Sequence, residues 1–165
     1  MLIRFFRCLR KKYWYYKALR TLGGRKPDGI HVGGKVIFTN TTTIGEDCHF
    51  NGMRVEGNGE VRIGDHFHSG SEILIMTTNH NYDRGNAVPY DDTVINKNVV
   101  IGNNVWIGSR VIILPGTVIE DGVVVQAGSV CVGRLPYCSV CGGHPAKVIK
   151  YRDISHYEKY AGKKN

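Results

Sequence analysis

Residues 95–125 read INKNVVIGNNVWIGSRVIILPGTVIEDGVVV, with isoleucine or valine at every sixth position: Ile95, Ile101, Ile107, Ile113, Ile119 and Val125. A helix repeats every 3.6 residues and a strand every 2, so neither alone yields a metre of six. The fifth position of each block is also small or β-branched: Val99, Val105, Val111, Thr117, Val123 and Ser129. Such a repeat describes stacked coils of a parallel β-helix, in which each coil covers the apolar face of the next. One hexad supplies a short strand and a corner, and about three hexads close a triangular coil. The anchors form an inward ladder. The compact fifth residue fits beside the corner, and glycine after the anchor, as in Ile101-Gly102 and Ile107-Gly108, permits a tight bend.

Working outward from this stretch, the metre weakens but persists. Val32, Phe38, Ile44 and Phe50 stand six apart, the phase slips between Glu56 and Glu60, and it restarts at Ile63-Gly64-Asp65 with Ser69 and Ile75 on the beat. Residues 81–94, rich in Asp, Asn, Gly and Pro, interrupt it again and read as a loop thrown off the stack. The expected class is therefore all-β, with a β-helix over residues 28–141, an N-terminal helical segment over 1–27, and a tail with a short helix over 142–165. A β-sandwich fits poorly, since sandwiches signal turns every 8–12 residues.

The formal charge of +8 is unevenly placed. Residues 1–27 hold nine Lys/Arg and no acid, which leaves 13 basic against 14 acidic groups elsewhere. Leu2, Phe5, Phe6, Leu9, Tyr13 and Tyr16 fall on one helical stripe, with Arg4, Arg7, Lys11 and Lys12 mostly away from it, and Gly23-Gly24 with Pro27-Asp28-Gly29 ends the helix. Two roles suit it: a lid on the open end of the coil stack, and a peripheral membrane contact through residues 1–22 with anionic lipid. No nucleic-acid motif accompanies the charge, so no nucleic-acid partner is expected. Five cysteines, with neither a signal peptide nor a membrane span in the sequence, place the chain in a reducing, cytoplasmic setting, peripheral at the inner membrane surface. The Cys138–Cys141 pair lacks a second pair and reads as buried thiols.

For chemistry, Asn79-His80 at the mouth of the long loop is the candidate site, because a neutral imidazole there could take a proton from a bound hydroxyl. His66 and His68 alone make no metal set, and His80 lies two-thirds of a coil further on, so no metal is expected. Trp106 directly precedes an anchor and should point outward, into a cleft or an interface.

Four stretches carry a resemblance: Val61-Arg62-Ile63-Gly64-Asp65; Asn79-His80 followed by a loop with Pro89; Ile101 to Ser109 with its tryptophan; and Gly143-His144-Pro145-Ala146-Lys147-Val148-Ile149. Together they resemble the hexapeptide-repeat acyltransferases, in the branch of galactoside, maltose and exopolysaccharide O-acetyltransferases, over roughly residues 30–152. The resemblance implies a left-handed parallel β-helix and direct acetyl transfer from acetyl-CoA to a sugar or glycan hydroxyl, in a homotrimer whose sites lie between chains. It implies His80 as general base with Asn79 beside it. It also implies the Ser109 amide at the thioester oxygen, Ala127 and Trp106 along the CoA cleft, and Lys147 and Lys150 near the CoA phosphates. Asn51 matches an acceptor-binding asparagine, and Tyr82 and Asp83, with Asp91 and Asp92 in the same loop, are candidates for sugar hydroxyls. Lysine here replaces the arginine of related enzymes, which makes phosphate contact less directional. Val132 replaces a polar CoA contact. Xenobiotic or amino-sugar N-acetylation, a zinc carbonic anhydrase and a non-enzymatic scaffold are the competing readings on the same architecture.

Overall fold

The computed structural model describes residues 2–22 and 27–161, with side chains from Leu9 onward. The Gly23-Gly24 stop and the side chains of Leu2, Arg4, Phe5, Phe6, Arg7 and Cys8 lie outside what is described.

Three parallel sheets wind into a left-handed triangular prism. The first contains His31–Val32, His49–Phe50, His68–Ser69, Trp106–Ile107, Val124–Val125 and Ser139–Gly142, closed by an antiparallel strand, Lys147–Tyr151. The second holds Val36–Ile37, Met53–Glu56, Ile73–Met76, Ile112–Ile113 and Val130–Cys131. The third holds Thr42–Ile44, Val61–Ile63, Val99–Ile101, Val118–Ile119 and Arg134–Leu135. Each coil visits the sheets in that order and pairs with the coil above and below, so within the stack every short strand finds its hydrogen bonds in neighbours.

The anchors Ile101, Ile107, Ile113, Ile119 and Val125 are buried, as are all six residues of the fifth position. Phe38, Phe50 and Phe67 fill the broader N-terminal coils in ring-to-ring contact. Ile95 breaks the expectation. It is 40% exposed and lies on an antiparallel hairpin, Thr78–His80 with Val94–Asn96, that leaves the prism between the second and third sheets. The excursion thus begins at Thr78, ahead of the polar run, because Thr78 and Asn79 pair with Asn96 and Ile95 instead of with another coil. The phase slip also has a visible cause. In the regular part of the stack Trp106 pairs with Val124, exactly three hexads on, whereas Met53 pairs with Ile73, so the coil between them is longer than three hexads. The extra length sits in the strand Met53–Glu56, which runs to Glu56 before Gly57 turns the corner at φ +96°.

One corner column is left-handed at every level. Asp47, His66, Asn104 and Cys138 have φ of 52–55° between the third and first sheets. Asn, Asp and His enter this region more readily than other side chains, and glycine takes the same conformation at Gly29 and Gly122, with φ of 70° and 71°.

The helix α1, Leu2–Thr21, packs on the first strands of the first and second sheets. Ala18 is buried and Trp14, Tyr15, Leu19 and Leu22 lie half-buried against the core. The lid role is thereby met, but by a different face from the stripe read in the sequence: Leu9, Tyr13 and Tyr16 are exposed. A helical wheel identifies an apolar stripe, while the coil end selects the face whose shape fits it. The helix α2, Ile154–Tyr160, is capped by the Asp153 carboxylate accepting from His156 N–H, and buries Tyr157 against the corner at Gly122 and Cys138. Cys48, Cys131, Cys138 and Cys141 are free and buried, and burial pushes the Cys131 thiol up to about 12 and the Cys48 thiol up to about 11. Such thiols are packing groups, not nucleophiles. Among the described residues no helix is long and apolar enough to cross a membrane.

Candidate active site

The corner between the first and second sheets is built from a column of equivalent residues. Ser71, Ser109 and Ala127 occupy successive coils, since Arg110 N–H donates to Ser71 O and Gly128 N–H to Ser109 O. At the Ser71 level, the corner amide is satisfied from the next coil: Ser71 N–H donates to Ser109 Oγ at 3.1 Å. The corner between the third and first sheets follows the same rule three times. Glu46 N–H meets Asp65 Oδ1, Asp65 N–H meets Asn103 Oδ1, and Asn103 N–H meets Asp121 Oδ1, at 2.7–2.8 Å. At Ser109 the rule fails. The next residue up is Ala127, which has no side-chain oxygen, and among the described residues neither the Ser109 nor the Ala127 amide meets an acceptor. Two N–H groups one coil apart are therefore left without an acceptor along one edge. An unpaired backbone donor is uncommon and calls for a partner from outside the chain. The edge is also tight: a Cβ on Gly108 would lie 2.5 Å from the Ala127 nitrogen.

Trp106 stands on the first sheet just before this edge, 59% exposed, as expected from its place before an anchor. Lys150 continues its outward row through Val124 and Val140, and Lys147 pairs with Gly142 beside the edge. Three strand spacings of about 4.8 Å separate Trp106 from that last strand, roughly 14 Å. Asn51 belongs to the same edge on the N-terminal side, where its Nδ2 donates to Ser69 O at 2.9 Å. The edge thus carries Asn51, Ser109, Ala127 and Lys147 in axial order.

His80 stands elsewhere. It ends the first strand of the hairpin, opposite Val94, and its ring stacks on Tyr90 at 3.7 Å and 13°. Asn79, His80, Tyr82 and Asp83 surround one cavity of about 140 Å³ with Asn81, Ile95 and Lys97. Asp91 is not free for a ligand. It accepts from the Thr93 hydroxyl and from Asn86 and Thr93 N–H, and these bonds, the hydroxyl first, hold its carboxyl below the usual range. Tyr90 was not legible as a partner of His80, because a stretch of irregular chain separates them. Only the folded arm brings the rings together.

The expected residues therefore form two groups: His80, Asn79, Tyr82 and Asp83 on the arm, and Trp106, Ser109, Ala127, Lys147, Lys150 and Asn51 on or beside the opposite edge. The whole second sheet lies between them, on the order of 15 Å for a strand and its corners at about 3.3 Å per residue. Within one chain the imidazole and the free amides thus stand at opposite corners of the second sheet.

A larger cavity, about 370 Å³, opens on the first sheet between Asp47, His66, His68, Trp106 and α2. His31, His49 and His68 stack outside the first three coils, with ring centroids 4.2 and 4.3 Å apart. Spacing along the chain picks out His66 with His68, not this row. Each of the three histidines is a full coil away from the next along the chain, and only the coil register aligns them.

Residues 98–133 match the family model of the bacterial transferase hexapeptide, six repeats. No curated protein sequence matches the chain. Among solved structures, it is similar to a maltose O-acetyltransferase from Clostridium difficile 630, at 25% identity and a TM-score of 0.55, over 88% of both chains. It is similar to a galactoside acetyltransferase in complex with coenzyme A at 26% identity and a TM-score of 0.61, over 84% of this chain and 70% of that one. It is likewise similar to a hexapeptide-repeat acetyltransferase of Vibrio cholerae O1 biovar eltor complexed with acetyl-coenzyme A, at 26% identity and a TM-score of 0.59, over 76% of this chain and 64% of that one.

Proposed function

Because residues 98–133 match the hexapeptide-repeat transferase model and the chain is similar to solved hexapeptide-repeat acetyltransferases, we propose that it moves an acetyl group from acetyl-CoA to a sugar hydroxyl, with His80 as general base. The observation that carries this reading is the pair of unpaired amides at Ser109 and Ala127. A preorganised N–H at the thioester carbonyl stabilises the oxyanion of the tetrahedral intermediate. The second N–H suits an amide of the pantetheine arm. Trp106 walls the channel, and Lys147 and Lys150 stand at the far end for the phosphates. Ser109 Oγ accepts from Ser71 N–H as part of the corner, and direct transfer to the acceptor asks for no nucleophile from the chain. The acceptor hydroxyl gives its proton to His80 as it attacks the carbonyl, and the thiolate of CoA leaves.

The separation of the two groups supports a homotrimer in which the arm of one chain reaches the amide edge of the next. Closed head-to-tail rings produce such seams in identical copies. Asn79, Tyr82 and Asp83 then line the acceptor side, and Asn51 stands on the same edge as Ser109. A glycan acceptor fits this polar arm. The presence of Asp83 beside His80 favours a second reading, an amino-sugar acceptor held through its ammonium. Purified protein supplied with acetyl-CoA and paired neutral sugars and amino sugars, analysed by mass spectrometry, separates the two. Ester products support the first reading and amide products the second. Release of CoA with no acetylated product of either kind would remove both.

The exposed Leu9, Tyr13 and Tyr16 stripe lies among Arg10, Lys11, Lys12, Lys17 and Arg20, and Lys17 reaches over Tyr13 and Trp14. This supports peripheral attachment of the cytoplasmic enzyme to anionic lipid, beside a lipid-linked precursor of a surface polysaccharide. Co-sedimentation with phosphatidylserine vesicles, weakened by raising salt and by Tyr13→Ser with Tyr16→Ser, is the expected result. Binding indifferent to both would leave α1 as a lid alone.

A further inference from the structure

We propose that His31, Asp47 and His49 form a binding site for a transition-metal dication of the zinc class on the outside of the first two coils. One ligand atom from each lies within 4.8 Å of the others. The site is built by coil register. His31 and His49 occupy the same outward position on adjacent parallel strands, and Asp47 sits in the left-handed corner just before His49.

The two carboxylate oxygens of Asp47 are divided. Oδ2 accepts from His66 Nδ1 at 3.0 Å, while Oδ1 lies 3.7 Å from His49 Nε2. The first bond fixes the carboxylate from behind, as outer hydrogen bonds orient metal ligands. The second oxygen is directed toward the imidazoles. The charge surroundings are unusual within this chain. Every other ion pair among the described residues joins an arginine to a glutamate, whereas Asp47 faces only histidines. Two imidazoles and one carboxylate form a ligand set suited to zinc, with a fourth position left for water. Metal bonds of about 2.0–2.2 Å place tetrahedral ligand atoms roughly 3.3 Å apart, so the three groups must close slightly. His31 is exposed and Asp47 and His49 half-buried, which leaves their side chains room to turn. The His31 and His49 rings are tilted by 28°, against 9° for His49 and His68, so the pair with the carboxylate is already the more open one. No step of acetyl transfer is assigned to this ion.

The test uses untagged, chelator-treated protein titrated with zinc in a calorimeter, with cobalt as a spectroscopic probe. One zinc per chain and the visible absorption of tetrahedral cobalt are expected. His31→Gln and Asp47→Asn should each weaken zinc binding on the order of 100-fold, at least what loss of a supporting hydrogen bond costs. His68→Ala, outside the ligand set, should leave it unchanged. Because His31 is exposed, His31→Gln cannot act by unfolding the coil. Absence of stoichiometric binding, or binding unaltered by His31→Gln and Asp47→Asn, overturns the proposal. Neither result bears on the acyl transfer, which is assayed separately with His80→Ala.

Discussion

His80→Ala is expected to lower kcat by about 10²–10⁴-fold, the range that a positioned general base contributes, while CoA binding and the oligomer stay intact. The expectation rests on placement. His80 lies on an arm whose hydrogen bonds are made by Thr78, Asn81, Asp91 and Thr93, so its ring can be removed without opening the prism. Its contact partner is Tyr90, stacked at 3.7 Å, and Tyr90→Phe, which keeps the stack, should retain most activity. Circular dichroism and sedimentation confirm the fold, and steady-state kinetics with saturating acetyl-CoA gives kcat. Activity surviving His80→Ala removes the imidazole from the mechanism.

Ala127→Asn is the second large effect, expected to cost about 10²–10³-fold in kcat, the loss seen when an oxyanion donor is removed. In the neighbouring corner Asn103 Oδ1 caps the Asp65 amide at 2.8 Å, and asparagine at position 127 would cap Ser109 in the same manner. The substitution completes a structural pattern, so stability should hold or rise while catalysis falls. A merely structural role for Ala127 predicts the opposite. The pair of variants also tests the seam. If each site takes His80 from one chain and the Ser109 edge from the next, refolding His80→Ala together with Ala127→Asn rebuilds native seams. In a random head-to-tail trimer roughly a quarter of seams carry both wild-type halves. Activity should therefore return far above either variant alone. A mixture as inactive as its components would mean that the site is not shared between chains.

Much of this molecule is legible in its residues because the repeat is local. Each hexad specifies a strand and a corner, and Ile101, Ile107, Ile113, Ile119 and Val125 are all buried where the metre places them. The same rule failed at Ile95, whose spacing matched but whose backbone had already left the stack. It failed also on α1, where Leu9, Tyr13 and Tyr16 form a stripe that the coil end does not cover. Spacing records a tendency to bury, and the neighbour that does the burying is chosen in three dimensions.

The site divides along the same line. Asn79-His80 and the outward Trp106 could be picked out of the chain, since a loop mouth and a position before an anchor are local properties. The amides of Ser109 and Ala127 were reached only through the family resemblance, because a missing acceptor is a property of the coil above. What the sequence alone determined is the coiled class, the corner chemistry and the candidate imidazole, all set by interactions within about one hexad. Only the tertiary structure decided which corner keeps unpaired donors, that His31 and His49 align beside Asp47, and that His80 and Ser109 stand a full sheet apart. Each of those depends on the register between successive coils, fixed by hydrogen bonds that no single strand contains.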